Sequence, residues 1–169
     1  MRHAWTIVIA GLAILVAVSC NPGADSEQGG NKTMEPTPVK MSEALRVTTE
    51  NLAFVTAEKV EPGVNDVERM GCRTSYNSAL PEGPPWWLRL QRDFANPTPE
   101  LIAGVLERLE ALSSKGFHRQ ESKRPEPEPV NSRTYRDGAG YIVSAREDFR
   151  GNGIHVYVVT SSSPCADED

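Results

Sequence analysis

The chain has 169 residues, 38% hydrophobic and 24% charged, with 23 acidic against 18 basic side chains and three cysteines. That is enough length and apolar material for one ordinary domain. The net charge of −5 leaves out the basic footprint on which nonspecific nucleic-acid binding depends, so no nucleic-acid partner is expected.

Residues Met1 to Ser19 combine a cationic start at Arg2, an apolar stretch from Ile7 to Val18, and small Ser19 directly before Cys20. This is the layout of an export signal, not of a folded element. The stretch is shorter than the roughly 20 apolar residues a membrane span needs and stops at Asn21-Pro22-Gly23, which argues against a permanent transmembrane anchor. The run Ala17-Val18-Ser19-Cys20 resembles the lipobox of bacterial lipoproteins. That resemblance implies that Cys20 carries a diacylglyceryl group and further acyl chain such as palmitate, and that residues 1–19 are removed as a signal peptide. An ordinary secretion signal is the rival reading, and a buried helix is a further one. Lipid on Cys20 would hold the chain at the cell membrane on its extracytoplasmic side, since two acyl chains suffice for stable attachment.

From Asn21 to about Val39 the chain is rich in Gly, Pro, Asp, Glu, Ser and Thr, with hardly an apolar side chain to bury. It reads as a disordered tether, so residues 20–39 are taken as lipidated cysteine plus linker, 40–165 as a single domain and 166–169 as an acidic tail. With Cys20 assigned to lipid, Cys72 and Cys165 are left in a compartment where disulfides persist, and pairing is expected. Two separate buried thiols are the alternative. Nothing resembles Cys-x-x-Cys, so a redox pair is not indicated.

Within the domain, Met41, Ala44, Leu45, Thr48, Leu52 and Val55 recur at helical spacing, with Glu43, Arg46, Glu50 and Asn51 on the other side, so a helix is expected from Met41 to Ala57, ended by Pro62-Gly63. Cys72 to Tyr76 reads as an edge strand or extended segment, and Pro81 to Pro85 as a turn. Trp86, Leu88, Leu90 and Phe94 alternate with Trp87, Arg89, Gln91 and Asp93, the code of a strand buried on one face. A second helix follows: Thr98 caps it, Pro99 suits its first turn, Glu100 favours its positive end, and Lys115-Gly116 closes it. Leu101, Ile102, Val105, Leu106, Leu109 and Leu112 form its apolar stripe.

After Phe117 the pattern becomes strand-like: Phe117 to Ser122, Ser132 to Arg136, Tyr141 to Ala145 and Ile154 to Val159, separated by Asp137-Gly138-Ala139-Gly140 and Arg150-Gly151-Asn152-Gly153. Gly and Asn-Gly between such runs are hairpin signals because these turns need positive φ. The expected fold is α+β: an antiparallel sheet of about four to five strands with two helices on one face, in a single disulfide-stapled domain.

The lipobox, a helix, a central Cys72, a strand with Trp86 and Trp87, the helix from Thr98, Gly138-Ala139-Gly140-Tyr141, and a terminal strand closing on Ser163-Pro164-Cys165 resemble the layout of small actinobacterial lipoproteins, particularly the LppA-like group. The resemblance covers most of the chain after the signal. It implies a cell-envelope lipoprotein with lipid on Cys20, and it transfers no catalytic residue.

Catalytic chemistry is thinly represented. His118 and His155 would have to converge with a carboxylate such as Glu121 or Asp148 to hold a metal, and neither lies in a ligand spacing, so no metal or cofactor is expected. Ser161-Ser162-Ser163 lacks a nucleophile elbow and reads as a polar strand end. Glu147 and Asp148, adjacent on a strand, face opposite ways and cannot act as a glycosidase pair. No catalytic residue is assigned. Trp87 is a candidate ligand platform, its bland role being to cover a sheet edge. Pro125-Glu126-Pro127-Glu128-Pro129 reads as a stiff solvated loop that can also engage a partner, bracketed by Arg119, Lys123, Arg124, Arg133 and Arg136. The expected function is a binding or interaction module of the cell envelope, with an envelope protein as a partner. Alternatives are a carrier of a small apolar or lipid ligand, or a cell-wall enzyme.

Overall fold

The computed structural model describes residues 39–63, 66–73, 80–121, 131–151 and 153–169. The export signal, Cys20, the tether up to residue 38, Lys123, Arg124 and the Pro125–Pro129 run lie outside the described residues. The elements in chain order are β1 (Val39–Lys40), α1 (Met41–Thr56), β2 (Val67–Arg73), β3 (Glu82–Ala95), α2 (Pro99–Ala111), β4 (His118–Gln120), β5 (Arg133–Arg136), β6 (Ile142–Phe149), β7 (His155–Ser162) and β8 (Ala166–Asp167).

These strands form one eight-stranded sheet in the order β1-β8-β3-β7-β6-β5-β4, with β2 paired to β3 off that path. The antiparallel sheet of four to five strands expected from the sequence is therefore wrong in both number and type. The sheet is mixed, because β1 runs parallel to β8, with Val39 opposite Ala166 and Lys40 opposite Asp167. The missed strands have no alternating apolar pattern of their own. β1 reads as the end of a tether, and β8 lies in what reads as an acidic tail. β2 overlaps the edge strand read at Cys72 to Tyr76 only at Cys72 and Arg73, residues 74–76 lying outside the described residues, and its earlier part reads as a charged connection. Each becomes a strand through pairing, β1 with distant β8 and β2 with β3, the next strand along the chain, which outweighs weak intrinsic preference.

β3 is longer than its alternating code suggests. The Pro81 to Pro85 stretch read as a turn is largely absorbed into the strand, which starts at Glu82. Met70 lies opposite Trp87, Gly71 opposite Trp86 and Arg73 opposite Glu82, with the register shifting between Gly71 and Arg73. Gly71 is required there, because a Cβ on it would sit 2.1 Å from the Glu82 carbonyl carbon.

Both helices contribute to one core against a single sheet face. Leu52 and Val55 of α1 and Ile102, Val105 and Leu109 of α2 pack with Leu90, Tyr135, Val143, Ala145, Tyr157 and Val159. These strand residues share one face by register, since Val143 lies opposite Tyr135, Ala145 opposite Val159 and Leu90 opposite Ser161. Helix α1 stops at Thr56, earlier than Pro62-Gly63, with Ala57 in the left-handed conformation at φ 57°. Asn51, read as a solvent-side residue, is buried at its α1 position. In α2 the Thr98 side chain accepts a hydrogen bond from the Leu101 N–H at 3.3 Å. A 3-10 turn over Leu112–Lys115 then ends at Gly116, whose φ of 84° suits glycine.

The last residues close the domain rather than trailing from it. Cys72 is disulfide-bonded to Cys165 across 93 residues of sequence. Just beyond, Lys40 Nζ donates to the Glu168 carbonyl at 2.8 Å, and the Ser42 hydroxyl donates to Asp169 Oδ1 at 2.6 Å. Arg69 pairs with Glu168 at 2.8 Å and lies 3.9 Å over the Trp86 ring. Residues 166–169 therefore bind β1, β2 and the start of α1.

Two outcomes follow from this closure. Replacing Cys72 and Cys165 together by alanine should lower unfolding free energy by up to about 4.5 kcal/mol, the chain-entropy value for a loop of this length, read by denaturant titration; a loss under about 1 kcal/mol would contradict that account. Hydrogen bonds from Ser42 hold the Asp169 carboxyl below its ordinary value. A depressed folded value means that its contribution is present above the unfolded carboxylate range and is lost as pH falls through the folded value. Asp169→Asn should therefore flatten the stability profile below about pH 4, and a variant profile parallel to the wild type would refute the linkage.

Candidate functional site

An open cleft of about 470 Å³ lies between the start of α2 and the ends of β6 and β7. One wall is apolar: Pro97 and Pro99 from the turn into α2, then Ile102, Ala103 and Leu106 along the helix. The other carries Glu147 of β6, His155 of β7 and Asn131 before β5. The helix builds its wall because Ile102 and Leu106 sit one turn apart on the flank of the stripe whose centre, Val105 and Leu109, is buried in the core.

The polar wall comes from hairpin register. Phe149 lies opposite His155 and Glu147 opposite Tyr157, so Glu147 is the diagonal neighbour of His155 on the same face, within side-chain reach. His155 Nε2 is 3.1 Å from Glu147 Oε1, and both side chains are nearly three-quarters buried, with 28% and 29% of their surface exposed. The contact is close but not aligned as an N–H···O hydrogen bond, since Nε2 is without a hydrogen-bond partner. We therefore read it as a charge–dipole contact set by the strands. Phe149, 70% exposed, stacks on His155 with ring centroids 4.9 Å apart and planes 13° apart. That contact fixes the orientation of the imidazole ring at the mouth.

Beneath this pair, Tyr157 is fully buried and donates its hydroxyl to the Asn131 carbonyl at 2.9 Å. Burial pushes its phenol above the ordinary range, the Glu147 charge adds to the rise, and Arg133 opposes it. Arg133 itself pairs with Glu110 of α2. The Tyr157 phenol lies buried behind the cleft, and the polar wall carries one carboxylate whose sole described ion-pair partner is His155.

Other sequence candidates are placed elsewhere. His118 and Glu121 are exposed, His118 on the short strand β4. Asp148 is exposed on the opposite sheet face from Glu147, as strand alternation requires. Ser161, Ser162 and Ser163 are all buried; Ser163 Oγ accepts from the Leu88 N–H at 3.0 Å and so belongs to the fold, whereas Ser161 Oγ has no hydrogen-bond partner among the described residues. Trp87 is half-buried opposite Met70 on the face away from the helices. Among the described residues no group of three or more His, Cys, Asp or Glu is placed to hold a metal. The Glu147–His155 contact is not legible in the sequence: taking Arg150–Gly153 as the turn pairs Asp148 with His155, and only the longer turn, Arg150 to Ile154, puts Phe149 opposite His155 and Glu147 on the same face. The α2 wall carries no local signal either.

A second groove, of about 450 Å³, lies between α1 and β2, with Met41, Leu45, Val67 and Leu88 inside and Ser42, Arg69 and Asp169 at its rim. Its charges are already engaged with one another's neighbours, Arg69 with Glu168 and Asp169 with Ser42. The Glu147 cleft retains a carboxylate without a Lys or Arg partner among the described residues.

No family model matches the chain, and no curated protein or solved structure is similar to it.

Removal of the phenol hydroxyl by Tyr157→Phe should destabilise the domain by about 1 kcal/mol, because the Asn131 carbonyl loses its donor. Thermal unfolding read by near-ultraviolet circular dichroism checks this. A melting temperature equal to the wild type would show that the hydroxyl does not hold Asn131 in place.

Proposed function

We propose that this protein is an extracytoplasmic lipoprotein, anchored through Cys20, whose folded domain is a binding module and whose binding site is the Glu147–His155 cleft. The resemblance of Ala17-Val18-Ser19-Cys20 to a lipobox and of the element order to the LppA-like group supports the anchor. The observation that carries the binding assignment is a Glu147 side chain only 29% exposed, without a Lys or Arg partner among the described residues, facing an open apolar wall. Leaving a charge so placed costs free energy unless something pairs with it. Folded structures tolerate that cost most readily where a ligand completes the pairing.

A His–carboxylate contact in a cleft is also one component of a hydrolytic site. Among the described residues no serine, threonine or cysteine side chain lines this cleft, nor does a second carboxylate, so binding is the better-supported reading. The carrier alternative draws no support from the core, where Leu52, Val55, Leu90, Val105, Leu109 and Val159 are each no more than 2% exposed and leave a packed interior in place of a sheltered void.

Two variants test the two halves of the proposal. Wild-type protein should fractionate with membranes and Cys20→Ala should be released; continued membrane retention of Cys20→Ala would refute the lipid anchor. Ala103→Arg, a substitution of an exposed residue on the cleft wall, should leave the melting temperature within about 2 °C. It should also abolish crosslinked species recovered from intact cells with the wild type. An unchanged crosslinking pattern would remove the cleft as the binding surface.

A further inference from the structure

Glu147 determines which ligand chemistry the cleft accepts. The Glu147 side chain is 29% exposed and has no Lys or Arg partner among the described residues. An anionic ligand would meet that charge without a compensating cation. A neutral ligand would cover the carboxylate and strip its remaining water while leaving its charge unpaired, which is the costlier arrangement. A cationic ligand removes the penalty. A metal ion is a poor occupant because Glu147 and His155 supply only two donors, and no cluster of three ligating residues exists among the described residues.

The geometry narrows the type of cation. Glu147 Oε1 lies 3.1 Å from His155 Nε2 without an aligned hydrogen bond, so the imidazole crowds one of the two carboxylate oxygens. A guanidinium binds best as a two-pronged fork to both carboxylate oxygens, whereas an ammonium is a compact point charge satisfied by one. The opposite wall, Ile102, Ala103 and Leu106 with Pro97 and Pro99, offers aliphatic surface for a hydrocarbon chain. About 470 Å³ falls in the range of small-molecule sites.

We propose that the cleft binds a primary alkylammonium group, with the ammonium on the Glu147 carboxylate and its aliphatic chain along the α2 wall. This rests on the cleft being a binding site, as proposed above. The His155 ring, stacked on Phe149, crowds Oε1 and disfavours a two-pronged guanidinium. The ammonium is borne either by a free amine or by a lysine side chain in a polypeptide.

The test is a titration of the detergent-solubilised full chain, with the Ile102 and Leu106 methyl resonances followed by NMR. Three probes of equal chain length are used: n-hexylammonium, hexan-1-ol and hexanoate. Hexylammonium should shift these resonances saturably, hexan-1-ol should bind at least about tenfold more weakly, and hexanoate should not bind, as expected for a charge-assisted contact. Glu147→Gln, close in shape to the native side chain, should weaken hexylammonium by about tenfold and leave hexan-1-ol unchanged. A fourth probe, Nα-acetyl-lysine N-methylamide, separates the sources: tighter binding than hexylammonium assigns the ammonium to a polypeptide lysine, weaker binding to a free amine. Equal affinity for hexylammonium and hexan-1-ol, or no effect of Glu147→Gln, overturns the ammonium assignment. Where the ammonium assignment is overturned in this way, saturable shifts with hexan-1-ol or hexanoate keep the cleft as a binding site and sink only the ligand class. If none of the probes shifts the methyl resonances, cleft and ligand class fall together.

Discussion

The antiparallel ladder between β3 and β7, from Arg89 opposite Ser162 to Ala95 opposite Val156, is the contact on which the other elements depend. β3 pairs with β2 along one edge and with β7 and then β8 along the other, so it is the strand through which the two ends of the domain are joined. Its alternation sets the layer arrangement. Leu88 and Leu90 face the helices at 2% exposure, while Arg89, Gln91 and Asp93 line up on the other face, Gln91 bridging the two by hydrogen bonds of 3.0 and 2.7 Å. A slip of one residue would exchange these faces and place charges under α1, which is why the register is strongly specified.

That ladder also places both features of functional interest. Continuing past Ser162, the chain crosses Ser163, whose N–H donates to the Leu88 carbonyl at 2.9 Å, and brings Cys165 to Cys72 on β2. The same extension delivers Glu168 and Asp169 to Arg69 and Ser42. The place where the chain enters the domain at Val39 and the place where it finishes are thus stitched to each other, and a pull transmitted along the N-terminal segment would load β1, β8 and the disulfide first. At the opposite end of the ladder, β7 begins at His155, beyond the reach of α1 and only partly covered by α2. The cleft exists because α2 starts at Pro99, too late to cover the end of the β6–β7 hairpin.

Legibility from sequence followed how local each determinant is. The α2 stripe and its Thr98 cap, the alternation through Leu88 and Leu90, and the hairpin at Arg150–Gly153 all depend on neighbours within a few residues. β1 and β8 depend on each other across nearly the whole domain, Val39 on Ala166, while β2 depends on β3, the next strand along the chain; none carries a period of its own to betray it. Ser161 and Ser162 form the polar end of β7 that the sequence indicates; their burial comes from the fold, in which β7 is flanked by β3 and β6.

By itself, the sequence determined an export-like N-terminus with a lipobox-like Cys20, the two helices, the buried face of β3 and a pair of cysteines suited to a disulfide. These are properties of short windows, of composition or of residue counting. Only the tertiary structure decided that the sheet has eight strands with a parallel pair, that residues 166–169 lock onto the start of the domain, and that Glu147 meets His155 against a helix more than forty positions earlier in the chain. The physical reason is that a carboxylate becomes a site only when burial removes its water and its neighbours fail to supply a cation. Burial of that kind is created by packing between distant segments, which no local pattern records.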